Sequence, residues 1–318
     1  MERKMFGKVV AALRKEQLDF DNGNSWSQEK LAEETGLTTR IVGKIERGSQ
    51  VRLDRATLQE LARAFRLTSL ERREFFAMAS EITDDAIVRA DLKHQEVFSR
   101  VWATLGTICT PAFLMDSFGD LVGANRAVLD FHRLNWSQFN AARSSAGNVN
   151  ILSLLLAPDA PIRSVLGPGW QAIALANMRQ WRVMTLRYRH TTHFRDLFST
   201  LSAYPDFQML WAASRRRVED DNSRLRSHFY THSVYGPVAY TVFTNISLSA
   251  CGDLYLATFV PQNRDTGAVF QNLADKGNRP LALTPWPNPT LHAMHACNGS
   301  GDLHRDFGVR GGGLLERS

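Results

Sequence analysis

Cysteine is scarce in this chain: three in 318 residues, at Cys109, Cys251 and Cys297, odd in number and far apart. That spacing argues against a disulfide framework and leads us to expect a reducing compartment, the cytoplasm. Long apolar runs are missing too; no stretch reaches the ~20 residues that a membrane-spanning helix requires, so no membrane partner is expected. The opening residues, MERKMFGKVVAALRKEQ, are broken by charge every few positions and are expected to be neither a signal peptide nor a span. No strong charge imbalance exists either. The net charge is +6, and residues 1–80 carry 15 Lys and Arg against 12 Asp and Glu. This mild excess suits a partner bearing phosphates without specifying one. Glycine-rich phosphate loops and a GxSxG elbow are absent, and no enzyme is expected.

What is present is a globular composition, 44% hydrophobic and 22% charged, on a chain long enough for two domains. Residues 4–80 carry the pattern of five helices. Met5, Val9, Ala12 and Leu13 recur at helical spacing in the first. Ser27 stands where an N-cap belongs, ahead of Gln28–Thr35, and Gly36 is placed to end that helix. Thr38 caps a second short helix stopped by Gly48. Asp54 opens a fourth, with Leu58, Leu61, Ala62 and Phe65 as its buried stripe, and Thr68 or Ser69 opens a fifth.

Within this block, SQEKLAEETGLTTRIVGKIERG (27–48) meets the demands of a helix-turn-helix: a small residue inside the first helix, a glycine at the turn, and apolar residues that lock the pair. Ala32, Gly36, Leu37 and Ile45 meet them, with Leu31 and Ile41 as further core positions. The outward face of the second helix then holds Thr38, Thr39, Arg40 and Lys44, donors suited to phosphates and base edges in a major groove. The segment resembles the Cro/repressor-type helix-turn-helix family, also called XRE. The resemblance implies double-stranded DNA as partner, bound as a homodimer, with Gln28 on a backbone phosphate and Thr38, Thr39, Arg40 and Lys44 on bases and phosphates. Gly43 stands where that family often carries a contacting side chain. Glu46 is expected to pair within the domain.

Residues 81–97 are charged and weakly periodic, a connector between 1–80 and a second domain over 98–262. That domain opens with two short apolar runs around the turn SFGD, and Asn125 is placed to cap a helix. A helical middle follows. In VAYTVFTNISL, Val238, Tyr240, Val242, Ile246 and Leu248 alternate onto one face, the centre of three antiparallel strands expected between His228 and Pro261. The order is α+β, an antiparallel sheet with helices on one face. The segments TPAFLMDSFGDLVGANRAV, GWQAIALANMRQWR, YPDFQMLW and YGPVAYTVFTNISLSACGDLYLATFVP together resemble the MmyB-like regulators, whose Cro-type head precedes a PAS-like ligand-binding domain. That resemblance implies a bacterial transcription regulator whose second domain senses a small lipophilic ligand such as a fatty acid, with no cofactor required.

Candidate pocket residues are Trp170, Trp181, Phe207, Trp211, Tyr240, Val242 and Ile246; taken singly each reads first as ordinary core, and the pocket follows from the resemblance and not from their hydrophobicity. A filled core would make the second domain a dimerisation or protein-docking platform instead. Three histidine groupings, His190/His193, His228/His232 and His292/His295/Cys297, lack a convincing ligand set, and no metal is expected. The carboxylates Asp220 and Asp221 and the arginines Arg215, Arg216 and Arg217 suit a solvated charged stretch. From Gln262 onward glycine, proline and asparagine accumulate without periodicity, and 263–318 is expected to be an irregular tail.

Overall fold

The computed structural model describes residues 3–18, 23–49, 53–80, 94–141, 148–158, 160–215, 226–247, 252–277 and 279–288. They form two compact units. In chain order the helices are α1 (Arg3–Lys15), α2 (Gln28–Thr35), α3 (Thr39–Glu46), α4 (Arg55–Ala64), α5 (Ser69–Ser80), α6 (His94–Thr107), α7 (Arg126–His132), α8 (Trp136–Ala141), α9 (Ile151–Leu156), α10 (Pro161–Leu166), α11 (Trp170–Met184), α12 (Thr192–Ser202), α13 (Phe207–Ser214) and α14 (Arg264–Ala274). The strands are β1 (Ala112–Met115), β2 (Leu121–Ala124), β3 (Arg226–His232), β4 (Gly236–Ser247), β5 (Leu254–Pro261) and β6 (Leu281–Ala282).

The first unit contains α1–α5, as the periodicity predicts. Its core gathers Phe6, Val9, Val10, Leu13, Leu31, Val42, Ile45, Leu61, Phe65, Phe75 and Met78. Gly7 sits where α1 crosses the end of α3; a Cβ there would lie 2.4 Å from the Glu46 carbonyl oxygen, so only glycine permits this approach. Thr68 caps α5. Its hydroxyl oxygen accepts from the Glu71 N–H at 3.3 Å, and the Glu71 carboxylate accepts from the Thr68 N–H at 2.9 Å, a reciprocal capping box.

This unit does not end with α5. Residues Arg179–Ser199 belong to it as well, so its boundary falls inside α11. Leu186, fully buried, enters the five-helix core. Arg182 Nη2 lies 2.7 Å from Glu71 Oε1, and Arg189 Nη1 lies 2.6 Å from Glu16 Oε2. The sequence division at 81–97 therefore misses part of the head. The missing part is distant in sequence, and its signal, buried arginines, looks like any charged helix end.

The second unit is built on one six-stranded sheet in the order β3-β4-β5-β1-β2-β6, antiparallel throughout. The three long strands and the β1–β2 pair stand where the alternation predicts them. Asn125 caps α7, its side-chain oxygen accepting from the Val128 N–H at 3.1 Å. Helices also cover part of the second face. Val97, Phe98, Val101 and Leu105 of α6 pack with Ala112, Leu114, Leu254 and Leu256 of the sheet. All four residues of β1 are buried, and a continuously apolar strand needs cover on both sides.

The expectation of an irregular tail from 263 is corrected. Asn263 caps α14 through the Thr266 N–H at 2.8 Å, and Phe270 and Leu273 are buried. Strand β6 pairs with β2, and Trp286 is buried beneath α6. The helix was legible as an N-cap followed by an i, i+3 apolar pair. It was obscured by the glycines and prolines downstream. The connector expectation for 81–93 and the tail beyond 288, including His292, His295 and Cys297, lie outside the described residues, as do Arg216, Arg217, Asp220, Asp221, Leu248 and Cys251. His94–Val97, also assigned to the connector, open α6.

Candidate functional sites

The turn between α2 and α3 is built as the sequence predicts. The Ser27 hydroxyl accepts from the Lys30 N–H at 3.1 Å, Gly36 takes φ 67°, and Leu37 N–H returns to the Ala32 carbonyl at 3.1 Å. Leu31, Val42 and Ile45 point inward, with Leu37 and Ile41 packed against the core. A triad pins the far end. Arg14 Nε donates to Glu46 Oε1 at 2.6 Å, and Gln28 Nε2 donates to Glu46 Oε2 at 2.7 Å. Glu46 thus ties α1 and α2 to α3, the internal pairing expected of it.

The five residues assigned to DNA take different positions around α3. Arg40 is exposed, and Thr39 and Lys44 are half-buried. Thr38 is exposed and is the N-cap, its oxygen accepting from the Ile41 N–H at 3.3 Å; its hydroxyl hydrogen is left for an outside acceptor. Gln28, half-buried, directs its amide to Glu46. Gly43 is buried, and a Cβ on it would lie 3.0 Å from Arg47 Nη1 and 3.4 Å from Gln28 Oε1. The exposed Arg47 therefore folds back along α3 over the place where a side chain at 43 would stand. Sequence reasoning passed it over because it follows the helix as its C-cap.

The second site is a cavity inside the second unit, with about 60 Å³ of space open to the centre of a water-sized sphere. One wall is the sheet, through Phe113, Met115, Tyr240, Val242, Ala257 and Phe259. The opposite walls come from Val128 and His132 of α7, Leu154 and Leu155 of α9, and Ile173 and Asn177 of α11. No Asp, Glu, Lys or Arg lines it; the polar groups are His132, Asn177, His228, Tyr240 and Thr244. Tyr240 stacks on Phe259 with ring centroids 4.7 Å apart, and burial pushes its hydroxyl well above the usual pKa.

Of the seven pocket candidates, Tyr240 and Val242 line this cavity. Trp170 does not: it is buried, its Nε1 donating to the Leu155 carbonyl at 2.6 Å with the Arg163 guanidinium 3.8 Å above the ring. Trp181 belongs to the first unit and stacks on Phe194 at 5.4 Å. Phe207 and Trp211 stack on one another at 5.9 Å, away from the cavity wall. Ile246 is 49% exposed near the end of β4. Large aromatic side chains stand out in the sequence, whereas the wall is mostly Leu, Ile, Val and Phe contributed by α7–α11 and four strands of the sheet. That choice of wall depends on how the helices fold back, which residue type alone does not reveal.

His228 and His232 both lie on β3. The His232 Nδ1 accepts from the Val234 N–H at 3.0 Å, so its Nε2 carries the proton donated to the Phe131 carbonyl at 2.7 Å. This histidine is neutral and locks the β3–β4 turn. No group of three or more metal-ligating side chains occurs among the described residues, and none of their helices is long and apolar enough to cross a membrane.

Comparison with known families matches residues 23–72 to a helix-turn-helix family and residues 101–273 to the MmyB-like transcription regulator ligand binding domain. No match to a curated protein was found. The two matched segments hold the α2–α3 pair and the whole of the cavity wall. With more than half of its length matched, the chain belongs to the MmyB-like transcription regulators, in which a DNA-binding helix-turn-helix is joined to a ligand-binding domain.

Proposed function

We propose that the protein is a sequence-specific regulator whose second unit senses a lipophilic, fatty-acid-like molecule, and that it works as a cytoplasmic homodimer on paired DNA half-sites. One observation carries this reading: the second unit holds a cavity with apolar walls and a few polar groups, without a charged side chain, in a chain whose first unit presents Arg40, Lys44 and Arg47 on and just after α3. Such a cavity suits an acyl chain. The strand order, with helices over the cavity face, supports the PAS-like description of this domain. The cavity favours a sensor over a ligand-free docking platform, whose interior would be filled, and the reading is of binding rather than catalysis.

Affinity for DNA would come mainly from phosphate contacts and fall steeply with salt. A ligand alters that affinity only by favouring one arrangement of the paired heads. The test is to purify the full chain, extract it with organic solvent and identify any stoichiometric small molecule by mass spectrometry. Adding that molecule back to the delipidated protein then asks whether operator affinity changes. A recovered lipid that shifts DNA affinity supports the proposal. An empty extract, with no thermal shift across a lipid series, would return the second unit to a docking role.

A further inference from the structure

His132 is the last residue of α7 and one wall of the cavity. It is 8% exposed, and its Nδ1 is buried with no hydrogen-bond partner. A buried polar atom left in this way destabilises the fold unless something meets it. The neighbouring rings supply no partner. Phe131 and Phe259 approach edge-on at 5.0 and 5.8 Å, and His232 is committed to the β3–β4 turn and the Phe131 carbonyl.

The groups facing His132 are known from each side. His228 and His232 come from β3 and Tyr240 from β4, and none of these is an anion. On its own helix, Asp130 is engaged by Arg126 at 2.8 Å, and the next residue is Arg133. Nothing on the cavity wall can balance a positive imidazole. Burial first, and then His232 and His228, accordingly hold its pKa down at about 3. A carboxylate entering alone would meet the reverse difficulty, an anion in an apolar space. Each solves the other's problem.

We propose that His132 receives the carboxyl end of an acidic acyl ligand and that ligand and protein together take up one proton on binding. The free acid is ionised near neutral pH and the empty-site imidazole is neutral, so the complex contains one proton that neither partner held. It lies between the ligand oxygen and the imidazole nitrogen, and no net charge is buried. The position at the carbonyl end of α7 favours the protonated ring. This assignment depends on the cavity being a lipid site, as proposed above, and adds the residue that receives the ligand's polar end and the proton taken up there.

The experiment uses the delipidated full chain with two probes of equal length, dodecanoic acid and dodecan-1-ol, below their aggregation limits. Calorimetry in buffers of different ionisation enthalpy counts the protons. The acid is expected to bind with uptake of about one proton, its Kd rising about tenfold per pH unit between about pH 5.5 and 7.5, while the alcohol shows no such dependence. His132→Phe is expected to weaken the acid by about tenfold or more and the alcohol far less. His132→Asn, which keeps a donor that cannot titrate, should restore part of the acid affinity without the proton uptake. Acid binding without proton uptake, or uptake that persists in His132→Phe, overturns the proposal. If the alcohol binds and the acid does not, only the carboxylate assignment falls; if neither binds, the lipid-site reading falls with it.

Discussion

Arg182 Nη2 and Glu71 Oε1 stand 2.7 Å apart, with side-chain exposures of 3% and 0%. Glu71 opens α5, whereas Arg182 lies near the end of α11, inside the segment matched to the ligand-binding domain. Burial would raise the Glu71 carboxyl, but Arg182 foremost, then Arg189 and the Thr68 N–H, outweigh it and hold the pKa below the ordinary value. The head is thus closed by residues that the sequence places in the other domain.

Breaking this pair should be costly and replacing it should not. Glu71→Ala or Arg182→Ala leaves one charge buried without its partner and is expected to destabilise the first unit by about 3–5 kcal/mol. The apolar pair Glu71→Leu with Arg182→Met should recover most of that loss. Denaturant titration of the full chain, followed by far-ultraviolet circular dichroism, gives the three values. Additive losses in the double variant would show that the two side chains do not act as a pair.

Much of the first unit was legible because its signals are local. Ser27, Gly36, Thr38, Asp54 and Thr68 are caps, and a cap is decided within four residues of itself. The long strands were legible by alternation, and Asn125 by the same capping chemistry. What was not legible depends on distant pieces meeting. Leu186, Arg182 and Arg189 joining the head carry no periodic mark, and His132 resembles any histidine at a helix end. Trp170 and Trp181 illustrate the converse error: large aromatics attract attention as ligand walls, yet here they pack against Leu155 and Phe194.

Acid should destabilise the second unit in a window set by His132. Its native pKa is about 3 against an ordinary 6.5, so between these values the unfolded chain binds a proton that the native chain does not. Stability is full above about pH 6.5 and falls as pH drops toward 3, by about 1.4 kcal/mol per pH unit in mid-window. His232, in the same unit and held below its ordinary value chiefly by burial, adds a loss in the same direction below about pH 6.5. Urea midpoints measured from pH 7.5 to 4.5 should fall in the wild type and much less in His132→Phe. An unchanged slope in that variant would assign the acid sensitivity to other groups.

On the DNA side, removing Arg40 and Lys44 together should abolish retention on a specific duplex without altering the circular dichroism spectrum, since neither belongs to the buried core. Arg47→Ala tests the residue folded over Gly43. If it meets a phosphate, the slope of log affinity against log salt should fall by about one unit, with a similar loss on every sequence. Undiminished binding by the Arg40/Lys44 double variant would remove α3 from the groove.

The cavity itself is tested by filling it. Val242 and Leu155 both line it, from β4 and α9. Enlarging either to Phe places new carbons in space that an acyl chain would occupy, at a cost to the fold of about 1–3 kcal/mol if the walls cannot move. Ligand affinity should fall at least tenfold in both variants, measured with the molecule extracted from the wild type. Ile246→Ala, at the exposed end of β4, should leave that affinity unchanged, as should Trp211→Phe, whose ring stacks on Phe207 away from the wall. The contrast matters because Val242 and Ile246 point to the same sheet face in sequence, and only the folded helices distinguish them. A loss with Ile246→Ala equal to that with Val242→Phe would mean the ligand lies along the outer part of β4 instead of within the enclosed space.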